Sequence, residues 1–235
     1  MTFMKVTAII AAAGVGKRMG QATPKQFLAV LGQPLLAHIL IPFEAVQEVS
    51  EIILLIPTGW EEHCRKLVIE KYGFKKVTKV FSGGKKRQDS VYLGLNEASN
   101  TTDVIIVHDG VRPLVTEALI QISIKTASDS GAAVVAIPLT DTLKQVTMDG
   151  LVKRTLKRDG LWLVQTPQTF QKKIILEAYE AAYRDQFYGT DDAALVERVG
   201  FPIKIVLGSG MNLKITTPDD LRLSEFLLRQ RSALG

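Results

Sequence analysis

Cysteine is nearly missing from this chain: Cys64 is the single one among 235 residues. That excludes an internal disulfide and any metal cluster built on cysteine; its neighbours read as a helix face carrying an inert thiol. Histidine is almost as scarce. His38, His63 and His108 lack zinc-ligand spacing, and no Gly-x-Ser-x-Gly or Cys/His arrangement points to covalent catalysis. No apolar run approaches the ~20 residues of a membrane helix. Met1-Thr2-Phe3-Met4-Lys5 leads straight into strand pattern, without a secretory or transit signal. Low-complexity tracts, internal repeats and linker-like stretches are missing too. These absences predict a cytoplasmic protein that uses no membrane, folded as one α/β domain over residues 1–235.

What is present is positive charge in an unusual distribution. Lys plus Arg number 29 against 24 acidic residues, a net charge of +5. That balance permits nucleic-acid binding, but the cations form neither a tail nor an aromatic-interleaved stripe. They recur in short turns: Lys17-Arg18, Lys85-Lys86-Arg87, Arg112-Pro113 and Lys157-Arg158. A compact anionic ligand fits such clusters better than an extended backbone, so no nucleic-acid partner is expected.

The most informative turn is Ala11-Ala12-Ala13-Gly14-Val15-Gly16-Lys17-Arg18-Met19-Gly20, followed by Pro24-Lys25-Gln26. It follows Lys5–Ile10, an apolar β-branched run that reads as a buried strand. Alanines and glycines let backbone amides approach a phosphate closely, and Lys17, Arg18 and Lys25 add charge. The dinucleotide fingerprint is excluded, because the glycines fall at 14, 16 and 20. A Walker loop is excluded too, because Gly16-Lys17-Arg18 lacks the magnesium-binding hydroxyl. The loop suits a triphosphate whose charge grows during reaction.

Alternation of strand and helix patterns predicts a mainly parallel twisted sheet with helices on both faces. Strands are expected at 51–57, 77–81, 103–109, 132–138 and 203–207. Helices are expected at 34–49 (interrupted at Pro42), 60–71, 87–98, 116–129, 171–184, 191–199 and 218–231. Residues 144–148 and 151–155 alternate around Asp149-Gly150, a hairpin signal. A two-stranded hairpin is marginal alone, so it rests on another subunit or serves as a lid over its own domain.

Ligands of open α/β sheets bind beyond the carboxyl ends of the strands. Asp109, ending a Val/Ile strand, is a candidate magnesium ligand, although an Asp there also caps the following turn. Gly83-Gly84 suit close contact with a planar base, with Arg87 and Ser90 nearby. Lys214 precedes Thr217-Pro218, a helix start that leaves the lysine without a structural role. Gln165–Gln168 and Gly189–Asp192 offer hydroxyls and amides to a phosphorylated polyol, though Thr190 and Asp191 equally fit cap positions.

With those residues in place, the chain resembles the 2-C-methyl-D-erythritol 4-phosphate cytidylyltransferases of the non-mevalonate isoprenoid pathway. The matching segments run in order: Ala12 to Gly20, Pro24-Lys25-Gln26, Gly83-Gly84, Arg87, Asp89-Ser90-Val91, His108-Asp109 with Arg112-Pro113, Asp141-Thr142, Arg158 with Gly160-Leu161-Trp162, Thr166-Pro167-Gln168, Thr190-Asp191 and Asn212-Leu213-Lys214. The resemblance implies a Rossmann-like nucleotidyltransferase fold and a homodimer formed through a β-arm at about 140–157. It implies CTP and methylerythritol phosphate as substrates and Mg2+ as cofactor. Arg18, Lys25 and Lys214 would be catalytic. Ala12, Ala13, Gly14, Gly16, Gly84, Arg87, Ser90 and Asp109 would bind the nucleotide, with Asp109 on the metal. Arg112, Thr142, Arg158, Thr166 and Thr190 would bind the polyol phosphate, some of them from the partner subunit. Two departures are Gly110-Val111, where some members carry two alanines, and Asp159, where others carry Asn. The sister group acting on ribitol 5-phosphate shares the first loop and Thr-Pro-Gln; Gly160-Leu161-Trp162 and Gly189–Asp192 favour methylerythritol.

Overall fold

The computed structural model describes residues 4–14 and 23–234. Gly16, Lys17 and Arg18 of the first loop lie outside them. In chain order the elements are β1 (Val6–Ala11), a 3-10 turn at Lys25–Phe27, β2 (Ala29–Val30), β3 (Gln33–Pro34), α1 (Leu35–Ala45), β4 (Val49–Ile56) and α2 (Glu61–Cys64, continued as a π-helix over Arg65–Glu70). Next come β5 (Val77–Ser82), α3 (Arg87–Glu97), β6 (Val104–Asp109), α4 (Glu117–Ser130) and β7 (Ala132–Pro138). The chain finishes with β8 (Leu143–Val146), β9 (Val152–Leu156), β10 (Trp162–Gln171), α5 (Lys172–Arg184), α6 (Asp192–Arg198), β11 (Lys204–Leu207) and α7 (Pro218–Leu234).

Seven strands form the main sheet in the order β11-β7-β10-β6-β1-β4-β5. All pairings are parallel except those of β10, which runs antiparallel to β6 and β7. Successive side chains of a strand face opposite sides, and β1 shows why both sides must be covered. Ala8 and Ile10 pack with Leu36, Leu40 and Phe43 of α1 and Ile124 of α4. Ile9 packs with Val91 of α3, Tyr179 of α5 and Leu195 of α6. Each fully buried Ile or Leu contributes roughly 1.5–3 kcal/mol relative to exposure, so two full helix layers hold the sheet rigid under the site.

Two details differ from the sequence expectation. Helix α1 runs through Pro42 to Ala45 rather than breaking there. Pro42 sits late in the helix and forfeits one ladder bond, to the carbonyl of His38. Strand β10 is the second. It pairs with β7 at Trp162–Val164 and again from Gln168, with a register shift between. Proline is tolerated at such a bulge, and the bulge carries Gln165 and Thr166 out of the ladder toward the site.

Hairpin β8–β9 forms as expected, with strands shortened by a Thr147–Leu151 loop closed by Thr147 N–H donating to the Leu151 carbonyl at 2.9 Å. Met148, Leu151 and Val152 on it are exposed.

Candidate active site

Strands β1 and β6 end side by side, with Ala11 opposite Asp109. Asp109 is 6 % exposed, and an unpaired charge at that depth would be costly. It has three cationic neighbours. Arg87 Nε donates to Oδ1 at 3.1 Å, Lys214 Nζ stands 2.9 Å from Oδ2, and Arg112 Nε lies 3.5 Å from Oδ2 without hydrogen-bond geometry. Arg112 instead donates from its terminal nitrogen to the Asn212 carbonyl at 2.7 Å. Burial pushes the Asp109 carboxyl upward, but Arg87 and Lys214 outweigh it and hold it well below the usual carboxylate range.

Arg87 bridges two acids. Its other arm donates to Asp192 at 2.8 Å, and Asp192 also accepts from the Tyr179 hydroxyl at 2.5 Å. Burial opposes the charge of Arg87, yet Asp192 and Asp109 raise its proton affinity above the ordinary arginine value. The guanidinium is therefore fixed as a cation in one orientation.

Behind Asp109 lies His108, fully buried and tilted against Phe43. Its Nε2 is 3.2 Å from the Arg112 carbonyl and its Nδ1 is 3.0 Å from the Thr166 hydroxyl. The Thr166 oxygen accepts the Asp109 backbone N–H at 3.1 Å. Burial pushes the imidazole down to about 4, against a smaller upward pull from Asp109.

Two cavities open at this end of the sheet. One, of about 630 Å³, lies over the ends of β1, β4 and β5 and is bordered by Ala12, Ala13, Lys25, Gly84 and Ser90. The other, of about 510 Å³, lies beside α6 and is bordered by Gln165, Thr166, Thr190 and Glu197. Among the described residues Arg87, Asp109 and Lys214 border both. They form the wall between the two.

The structure thus gathers Ala12, Ala13, Gly14, Lys25, Gly84, Arg87, Ser90, Asp109 and Lys214 around the first cavity, and Arg112, Thr166 and Thr190 around the second. Lys25 reaches across to donate to the Ile215 carbonyl at 2.9 Å. The glycines at 83 and 84 have a structural reason beside the expected one, and both border the first cavity. A Cβ on Gly83 would lie 2.1 Å from the Ala13 Cβ, and one on Gly84 would lie 2.5 Å from the Asp89 Cβ. Contact within the protein already requires glycine at both positions. Ser90 is likewise engaged, accepting from Gly84 N–H at 3.0 Å and donating to the Lys86 carbonyl at 3.2 Å. Asp191 proves to be the N-cap of α6, its Oδ1 accepting from Ala194 N–H at 2.9 Å, while Thr190 borders the second cavity.

Thr142 and Arg158 border neither cavity of their own chain. They sit at the root of the arm, where the Arg158 guanidinium donates to the Thr140 carbonyl. Sequence reasoning named Asp192 only within the Gly189–Asp192 segment offered to the polyol, and Gln26 only within Pro24-Lys25-Gln26, and gave neither the role it plays here. Gln26 is buried and its amide donates to the Ala12 carbonyl, tying the two ends of the first loop together; its place beside Lys25 was the available signal. Cys64 is buried, and burial pushes its thiol up to about 12, in keeping with inertness. No helix among the described residues is long and apolar enough to cross a membrane.

The profile of one family, described as 2-C-methyl-D-erythritol 4-phosphate cytidylyltransferase, matches residues 6–230. A relative of that name from Alkaliphilus metalliredigens is 46% identical over 227 residues, covering 97% of this chain and 94% of its own. One from Geotalea uraniireducens is 46% identical over 228 residues, covering 96% and 97%. Among solved structures, 4-diphosphocytidyl-2C-methyl-D-erythritol synthase from Anaerococcus prevotii superposes with a TM-score of 0.84 at 33% identity, covering 96% of each chain. The 2-C-methyl-D-erythritol 4-phosphate cytidylyltransferase of Thermus thermophilus gives 0.79 at 36%, covering 96% of this chain and 100% of its own.

Proposed function

The chain belongs to the 2-C-methyl-D-erythritol 4-phosphate cytidylyltransferase family, and from that premise we propose that it joins CTP to 2-C-methyl-D-erythritol 4-phosphate. The products are 4-diphosphocytidyl-2-C-methyl-D-erythritol and pyrophosphate, on the route to isoprenoid precursors. The observation that carries this reading is the wall of Arg87, Asp109 and Lys214 between two cavities. A nucleotide in the first and a polyol phosphate in the second would meet across it.

The acceptor's phosphate oxygen attacks the α-phosphorus in line. The bond from that phosphorus to the bridging oxygen breaks, and pyrophosphate leaves with the electron pair. A phosphate monoester is already ionised near neutral pH, so no general base is needed; positioning and charge neutralisation carry the rate. Lys25 and Arg18 serve the triphosphate side. Lys214, with a side chain 42 % exposed against 10 % for Arg112, is the partner of Asp109 able to swing toward an arriving phosphate.

Asp109 would hold magnesium. It is a hard-oxygen ligand bordering both cavities, and no cluster of three or more ligating side chains occurs among the described residues. That set fits magnesium, which is ordinarily bound through one or two carboxylates plus substrate phosphates. When bound, the ion supplies charge neutralisation to the phosphate oxygens. The exposed arm, carrying Thr142 and Arg158 at its root, would pair two chains as a homodimer and deliver both residues to the partner's second cavity. The work is placed in the cytoplasm.

Pyrophosphate release from CTP and magnesium tests the reading. Release with methylerythritol 4-phosphate and far less with ribitol 5-phosphate is expected. Preference for ribitol 5-phosphate would overturn the acceptor, and release with neither would overturn the reaction.

A further inference from the structure

The buried pair His108–Thr166 stands outside the mechanism above, yet its geometry restricts what the second cavity can recognise. A carbonyl oxygen only accepts, so the 3.2 Å contact to the Arg112 carbonyl requires a proton on His108 Nε2. The ring is fully buried and neither nitrogen faces a carboxylate; its partners are a carbonyl and a hydroxyl. An imidazolium there would be an unpaired interior charge, which is strongly disfavoured. The ring is neutral, so Nδ1 carries only a lone pair. The 3.0 Å contact to Thr166 must then be the hydroxyl donating to Nδ1.

A hydroxyl has one proton and two lone pairs. Thr166 gives its proton to His108, and one lone pair takes the Asp109 N–H at 3.1 Å. What remains for a ligand is an acceptor. We propose that His108 is a positioning and specificity-determining residue that fixes Thr166 as a hydrogen-bond acceptor, so that Thr166 receives a hydroxyl of the polyol and not a phosphate oxygen. An ionised phosphate oxygen has no proton to offer, and two facing acceptors repel. Recognition of the phosphate then falls to the cations, Lys214 and Arg112, and recognition of the polyol to Thr166. This assignment of the acceptor rests on the function proposed above; the tautomer does not.

The first test uses the uniformly 15N-labelled full chain, whose three histidines keep the imidazole spectrum tractable. At neutral pH His108 is expected as the Nε2–H tautomer, with an Nδ1 shift typical of a hydrogen-bonded acceptor. In Thr166→Val that shift should move to the position of a free acceptor nitrogen. A proton on Nδ1, or an Nδ1 shift indifferent to Thr166→Val, overturns the proposal whether or not the chain turns over any substrate.

The second test is kinetic. His108→Phe keeps a ring against Phe43 but removes both hydrogen bonds. It should raise KM for the polyol phosphate roughly tenfold, the scale of one lost hydrogen bond, while KM for CTP and inhibition by inorganic phosphate stay put. His108→Asn, which restores an acceptor beside Thr166, should recover most of the loss; it also serves if the Phe variant does not fold. A parallel rise in both KM values, or weakened inhibition by inorganic phosphate, would show a general packing effect or a phosphate contact and sink the idea.

Discussion

Two regions of the molecule treat exposed and buried groups in opposite ways. At the carboxyl ends of β1 and β6, two carboxylates are packed out of water and each is answered inside the same chain: Asp109 by Arg87 and Lys214, Asp192 by Arg87 and Tyr179. On the β8–β9 arm, apolar side chains stand in water and none is answered: Met148, Leu151 and Val152 are 108 %, 66 % and 62 % exposed. The first region is complete within one chain and built to stay fixed while charge is redistributed. The second leaves apolar surface open to water. The contrast teaches where the charge network and where the exposed arm can be perturbed separately.

The largest effect belongs to the cations of the first region. Lys25→Ala or Arg18→Ala should lower turnover on the order of 10²–10³, the usual cost of losing a donor aimed at transition-state charge. Lys25 makes a hydrogen bond to the Ile215 carbonyl, so its removal should cost only about 1 kcal/mol of stability. Steady-state kinetics beside thermal unfolding measures both. Near-normal turnover in both variants would remove the first loop from the chemistry.

Next comes Asp192→Asn, which strikes the brace instead of the reacting groups. Removing one partner of a buried ion pair typically costs about 3–5 kcal/mol, and Asn leaves Arg87 with only Asp109. Urea unfolding should show the loss directly. A change below about 1 kcal/mol would mean that Arg87 needs no second acid, since ordinary surface substitutions lie within about half that.

The sequence made parts of this comparison legible and hid others for physical reasons. The central parallel strands were readable because each is an apolar run buried on both faces, as in Ile52–Ile56. Strand β10 was not, because Gln165-Thr166-Pro167-Gln168 is polar and contains proline; only its pairing with both β6 and β7 turns it into sheet. Lys25 and Asp109 stood out by the turn and the strand end they occupy, and Lys214 as a charge with no local purpose. Asp192 did not, because its role depends on Arg87, 105 residues away. Gly83-Gly84 were legible as a close approach: Ala13 and Asp89 stand where a side chain on either would go, and both glycines border the first cavity.

A pH experiment sharpens the first half. Burial pushes His108 down to about 4 from an ordinary value of 6.5. Between those values the unfolded chain holds the extra proton and the folded chain does not, so stability rises with pH across that window. The contribution is present above pH 6.5 and is lost as pH falls toward 4, on the order of 3 kcal/mol at 1.36 kcal/mol per unit. Unfolding free energy plotted against pH should therefore fall more steeply for the parent chain than for His108→Asn. Parallel curves would show that the ring is not held neutral by its surroundings.

The arm supplies the smallest effect on the fold and the cleanest break of the comparison. Met148→Asp with Leu151→Asp places charge on exposed side chains of the arm, so Tm should move by no more than about 2 °C. If the arm is covered by a second copy, the same change buries two carboxylates without partners, and dissociation follows. Light scattering should then report the monomer mass. Turnover should fall with it, because Thr142 and Arg158 lie at the arm's root and border neither cavity of their own chain. A variant that stays dimeric would place the interface elsewhere. A monomer with full turnover would confine the arm to assembly and leave the second cavity to be completed by residues of one chain.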